Sequence, residues 1–230
     1  MMSNEQNNRD NDSLKTLQHG RIRLALHRLR IGAGGPPLLL LHGLGSHTPE
    51  AVPQDIDTGW TGPIYGLDFA GHGQSSVPTG GGYSAELLMA DADTALRQIG
   101  PAFIVGSGLG GYVALLVAGA APQRVLGVAV TGGAGLSGGG TRPGSEFIAI
   151  PAARIDGTTP DPFVLLELAT DVRPPNYAAS FVRRFVSENG SEQPVNVCTA
   201  ARPPWLAAVV EEFGVAVVSL HEALESFSRA

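Results

Sequence analysis

Several things are scarce in this chain, and each scarcity excludes something. Cys198 is the only cysteine, so no disulfide can form within the chain, which suits a reducing compartment. Lys15 is the only lysine, and the formal net charge is −6, so no positive field is available to hold nucleic acid. The pairs Arg28/Arg30 and Arg183/Arg184 are too small to create one. No apolar run reaches the ~18 residues of a membrane span. Met1 to Ser13 is polar and lacks the apolar core of a signal peptide, so a cytoplasmic protein without a membrane partner is expected. His42 and His47 lack the spacing and carboxylate partners of a zinc site. Neither a metal nor a cofactor is expected.

What the chain does have is a hydrophobic content of 43% over 230 residues, enough for one domain with a full core. A disordered polar tail (1–19) is expected before a single domain (20–230). Ile22, Leu24 and Leu26 alternate with other residues at period two, as in a half-buried edge strand. Pro37 to Leu41 is a continuous apolar run, which reads as a strand buried on both faces. Pro63–Asp68, Ala102–Val105, Val125–Val130, Pro194–Cys198 and Val215–Leu220 read as further strands. Ser84 caps a helix carrying Leu88, Ala92, Ala95 and Leu96 at helical spacing. Asp161-Pro162 starts another, and Tyr177, Phe181 and Phe185 mark a third. Helices are also expected over Pro204–Phe213 and from about His221 to Phe227. Strands alternating with helices predict an α/β fold with a doubly wound, mostly parallel sheet. A small helical lid is expected at roughly 136–190, with Phe163, Tyr177, Phe181 and Phe185 as candidates to roof a pocket. His19 and His27 are expected at the surface, and His72 is expected to brace its own turn.

The most informative segment is Val105-Gly106-Ser107-Gly108-Leu109-Gly110-Gly111. It joins an apolar strand to an apolar helix through a glycine turn, the setting in which G-x-S-x-G presents a serine nucleophile. Here the nucleophile position is Gly108. Together with His42-Gly43 after the third strand and the turn Asp68, Gly71, His72, Gly73, Ser75, this segment resembles the α/β-hydrolase superfamily over roughly residues 20 to 221. The resemblance implies a Ser, Asp/Glu, His triad in that chain order. The serine position is Gly108, and the acid position falls on Pro203, in Thr199-Ala200-Ala201-Arg202-Pro203-Pro204-Trp205. His221 stands just past the final strand as the one candidate general base. Gly43, Leu44 and Leu109 are the expected oxyanion and ligand-binding positions. At the elbow the chain is also similar to the non-enzymatic Ndr family, which has glycine where the serine would be.

A glycine cannot attack a carbonyl, and a proline cannot orient an imidazole. Two readings follow. In the first, a degenerate, non-hydrolytic protein binds a small apolar or carbonyl-bearing molecule, or a protein partner. In the second, His221 acts as general base on a small ester, lactone or ketone, with the remaining oxyanion hole stabilising charge. Ser107 is adjacent to the elbow position, but the turn projects only residue 108 into the cleft. Gly135-Leu136-Ser137-Gly138-Gly139 matches the motif as a string without the helix that should follow it.

Overall fold

The computed structural model describes residues 13–136, 159–169 and 173–229. Among these residues eight strands form one sheet in the order β1-β2-β4-β3-β5-β6-β7-β8. They are β1 (Leu14–His19), β2 (Ile22–Arg30), β3 (Leu38–Leu41), β4 (Ile64–Asp68), β5 (Ala102–Ser107), β6 (Val125–Thr131), β7 (Val195–Val197) and β8 (Val215–Val217). β2 runs antiparallel to both its neighbours, β1 and β4, and every other pairing is parallel. The seven α-helices among the described residues are α1 (Gln54–Asp57), α2 (Ala85–Ile99), α3 (Leu109–Ala120), α4 (Pro162–Ala169), α5 (Tyr177–Asn189), α6 (Pro204–Val210) and α7 (Leu220–Arg229). This is the doubly wound, mostly parallel sheet that the strand–helix alternation predicts.

The apolar runs are strands because both their faces are covered. All four leucines of β3 are buried. On one face α2, α3, α5 and α6 pack through Leu88, Leu96, Leu115, Leu116, Phe185 and Trp205. On the other, α1 and α7 bring Ile56, Leu224 and Phe227 against Phe103, whose ring stacks on Phe227 at 4.4 Å between centroids. α2 begins as expected, with the Ser84 hydroxyl accepting from the Leu87 amide.

Three expectations change. β2 is not the edge strand, because Leu14–His19 pairs outside it in full register. The sequence places that segment in the polar tail, since an outermost strand buries only one residue, Leu17, and so carries no alternating signal. Residues 1–12 of the expected tail, and 137–158 and 170–172 of the expected lid, lie outside the described residues. α5 is not a lid helix. It lies on α3, where a Cβ on Gly119 would come within 2.5 Å of the Phe181 carbonyl oxygen. Phe185 is fully buried in the core, and Phe163 is 47% exposed. Lastly, α6 ends at Val210, short of the predicted Phe213, and β8 at Val217. No helix among the described residues is long and apolar enough to cross a membrane.

Candidate functional site

The elbow has the geometry of its motif. β5 ends at Ser107, α3 begins at Leu109, and Gly108 joins them at φ 51°, ψ −113°. Side-chain-bearing residues are strained in this part of backbone space, whereas glycine adopts it readily. The turn is also tight. A Cβ on Gly110 would stand 2.2 Å from the Leu41 carbonyl oxygen, so glycine lets α3 start directly against β3.

The space where a nucleophile's side chain would stand is filled. A Cβ built on Gly108 would lie 2.4 Å from both the Gly133 carbonyl carbon and the Ala134 carbonyl oxygen. These are backbone atoms of the segment leaving β6. The Ala134 carbonyl also accepts from the Leu44 amide at 2.9 Å and the Leu109 amide at 3.0 Å. These two donors form the expected oxyanion hole. They are not open to an anion or a substrate carbonyl, because the chain's own backbone occupies them.

The residues around this plug explain how the segment is held. Gly133 passes so close to the elbow that a Cβ there would meet the Ser107 hydroxyl at 2.1 Å. Ser107 itself donates to the Gly132 carbonyl at 2.9 Å, so its hydroxyl is engaged with the same segment. The next residues turn through Gly135 at φ 107° and Leu136 at φ 42°. The left-handed region costs a buried leucine roughly 1–3 kcal/mol. The indole N–H of Trp205 donates to the Leu136 carbonyl at 2.5 Å, which holds that strained residue in place. Trp205→Phe keeps the ring against Tyr112 but strands a buried carbonyl. It is expected to cost about 1–3 kcal/mol in urea denaturation, and an unchanged midpoint would show that the plug does not rely on this anchor.

The other two triad positions supply neither an acid nor a buried base. Pro203 precedes α6 and contributes only its carbonyl, which accepts from the Leu206 and Ala207 amides at 2.9 Å. His221 is the second residue of α7. Its side chain is 66% exposed and pairs with Glu225 one turn along, at 3.4 Å. The expected general base therefore faces solvent, while its neighbour Leu220 lines the cleft. The reason lies in local structure: β8 ends at Val217 and α7 begins at Leu220, so position 221 falls on a helix surface instead of in a loop over the sheet.

That cleft, about 460 Å³, opens beside the closed elbow at the C-terminal ends of β3, β5 and β6. Gly43, Ser107, Thr131, His47, Ile56 and Leu220 are among its walls. Of the predicted pocket residues only Gly43 reaches it; Leu44 and Leu109 are buried beneath the plug. Ser46 and His47 are exposed and line the mouth of the cleft.

The buried histidines are structural. His72 Nδ1–H donates to the Ala70 carbonyl, and its Nε2 accepts from the Gly45 amide. It braces its turn as predicted, and burial together with the neighbouring His42 pushes its pKa down to about 3. His42 likewise bridges the Gly43 carbonyl and the Phe69 amide, and burial lowers it to about 4. Both are therefore neutral braces. Cys198 is pushed up to about 11 by burial, which makes it a poor nucleophile. No three metal-ligating side chains converge among the described residues.

His19 and His27 are not the surface residues the sequence suggested. His27 Nε2 lies 2.9 Å from Asp68 Oδ2, and His19 Nδ1 lies 2.6 Å from Asp91 Oδ1. Both aspartates are buried, at 1% and 0% exposure. The available signal was the pair of acids in otherwise apolar surroundings, since a buried carboxylate demands donors.

The sheet order, the elbow and the His-Gly turn define one class of protein. The profile of the alpha/beta hydrolase family matches residues 38–225, and the chain belongs to that family. A stretch of 105 residues is 35% identical to Esterase Rv0045c of Mycobacterium tuberculosis, covering 44% of this chain and 34% of that protein. Another alignment, 34% identical over 110 residues, is to the dihydrolipoyllysine-residue acetyltransferase component of the acetoin cleaving system of Pseudomonas putida, covering 46% of this chain and 29% of that protein. The matches thus span about a third of each relative's length. The structure of Est1E from Butyrivibrio proteoclasticus, with ferulic acid bound, superposes with a TM-score of 0.63 at 14% identity, over 94% of this chain and 98% of that one. At that identity the likeness is one of fold.

Proposed function

We propose that this family member does not hydrolyse esters through its elbow, and that the cleft beside the elbow binds a small apolar or carbonyl-bearing molecule without covalent chemistry. The observation that carries this reading is the Ala134 carbonyl, which takes both the Leu44 and Leu109 amides. An oxyanion hole is worth about 10²–10³ in rate per donor, and neither donor faces a substrate here. Gly108 offers no nucleophile, Pro203 no carboxylate, and His221 is turned to solvent. The cleft walls suit a ligand with an apolar body and one or two polar groups. Leu220 and Ile56 supply apolar surface, and Thr131 and His47 supply hydrogen-bonding groups. The esterase among the relatives favours a second reading, residual hydrolysis, though the aligned part of that protein is about a third of its length.

One set of measurements tests both. Incubation with a fluorophosphonate probe is expected to leave the intact mass unchanged. 4-Nitrophenyl butyrate is expected to raise the thermal midpoint without being turned over above background. A fluorophosphonate adduct would overturn the non-hydrolytic reading, and a midpoint indifferent to the ester would overturn the binding one.

A further inference from the structure

A carboxylate–imidazole pair stands outside the elbow, at the start of the sheet. Asp68 closes β4, and its Oδ2 accepts from the Gln74 amide at 2.8 Å and faces His27 Nε2 at 2.9 Å. Its Oδ1 accepts from the Thr48 amide at 2.7 Å. Burial acts to raise this carboxyl, but the His27, Gln74 and Thr48 hydrogen bonds outweigh it and hold the group well below the usual carboxylate range. An ionised carboxylate only accepts, so the ring nitrogen facing it carries the proton. The neutral ring of His27 is thereby fixed as the Nε2–H tautomer, with its lone pair on Nδ1. A triad aspartate does the same to its histidine, with the two ring nitrogens exchanged. Nδ1 of His27 has no hydrogen-bond partner among the described residues.

The pair is not sealed in the core. His27 keeps 18% of its side chain exposed and, with Asp68, lines a cleft of about 670 Å³ between the N-terminal hairpin and the 45–50 loop. His47, Glu50, Gln74 and Thr159 share its walls. No set of three metal ligands converges there among the described residues, so the chemistry the pair can offer is proton transfer. The cleft needs neither the elbow nor its oxyanion donors.

We infer that His27 is the general base of a second site, one that takes a small neutral molecule with an activated C–H bond. Asp68 is the positioning residue. As the C–H bond breaks, its electron pair stays with the substrate and forms an enolate or expels a leaving group. The proton passes to Nδ1, and the resulting imidazolium is paired with the Asp68 carboxylate. No oxidant or reductant enters.

5-Nitrobenzisoxazole reports this step without demanding an oxyanion hole. Loss of its ring proton to a base breaks the N–O bond and opens the ring, so that nitrile and phenolate form together in one coloured cyano-nitrophenolate. The full chain is expected to open the probe about 10²-fold or more faster than free imidazole at equal concentration. His27→Gln keeps an amide N–H that can donate to Asp68 but has no basic nitrogen. It is expected to lose that excess with its thermal midpoint retained. His221→Ala, which removes an exposed imidazole, is expected to change nothing. A wild-type rate equal to that of free imidazole would overturn the proposal, as would activity surviving His27→Gln.

Discussion

Gly108→Ser, which restores the residue a serine hydrolase carries at this position, is expected to destabilise the protein by about 2–6 kcal/mol and to create no esterase. Two costs add. The backbone at φ 51°, ψ −113° is unfavourable for any residue with a Cβ, by roughly 1–3 kcal/mol. The Cβ also collides with backbone at 2.4 Å, and overpacking of this kind costs roughly 1–3 kcal/mol. Backbone cannot swing aside as the tip of a flexible side chain can. If the Gly133–Ala134 segment retreats, the Leu44 and Leu109 amides lose their acceptor, each net bond being worth roughly 0.5–1.5 kcal/mol. For a chain of this size the thermal midpoint should fall by about 4–24 °C. Gly108→Ala should fall nearly as far, because the collision is at Cβ and not at the hydroxyl. A midpoint within a degree or two of wild type would mean that the elbow is not filled. Turnover of 4-nitrophenyl butyrate by the serine variant would mean that the amides are available and that an acid and base stand elsewhere.

The same segment shows what can and cannot be read from sequence. β3, β5 and β6 were legible because strands covered on both faces must be apolar throughout, as Leu38–Leu41 and Val128–Val130 are. The elbow was legible because close approach to β3 admits only glycine at position 110, and the absence of Cβ at 108 was written in the letter itself. The plug was not, because its bonds run between backbone atoms, which every residue type carries. Its one trace is Gly133, needed where the chain passes the Ser107 hydroxyl. β1 was missed because an outermost strand buries too little to impose a pattern. His27 and His19 were misplaced because their partners lie 41 and 72 residues away, and only the folded register of β2 against β4 brings Ala25 opposite Asp68 and His27 opposite Gly66. His221 fell in the right place along the chain, but the early start of α7 turned it outward.

Asp68→Ala is expected to cost about 3–5 kcal/mol near neutral pH, because donors to a buried carboxylate are stranded at roughly 1–3 kcal/mol each. Three donors lose their acceptor at once: the Thr48 amide, the Gln74 amide and His27 Nε2. Asp68→Asn keeps one acceptor oxygen but points an amide NH₂ at a donor, so it should fall between wild type and the alanine variant. The pH dependence separates charge from shape. The carboxyl of Asp68 is held below its ordinary value in the folded protein, while in the unfolded chain it titrates near 3.9. In the interval between those two values the unfolded state binds more protons, so stability rises with pH there. The contribution of Asp68 is complete above about pH 4 and is lost as the pH falls toward the depressed folded value. Urea denaturation across the acid range should show wild type and Asp68→Asn converging as the pH falls, with a constant gap above pH 5. A gap independent of pH would mean that the carboxylate acts through its shape alone. Because its Oδ1 holds the Thr48 amide, the variant also loosens the 46–49 loop, which lines the cleft beside the elbow and the cleft that holds His27. The wall common to both candidate sites thus hangs on one buried carboxylate, and Asp68→Ala is expected to weaken ester binding at the first and proton abstraction at the second together, whereas His27→Gln affects only the second.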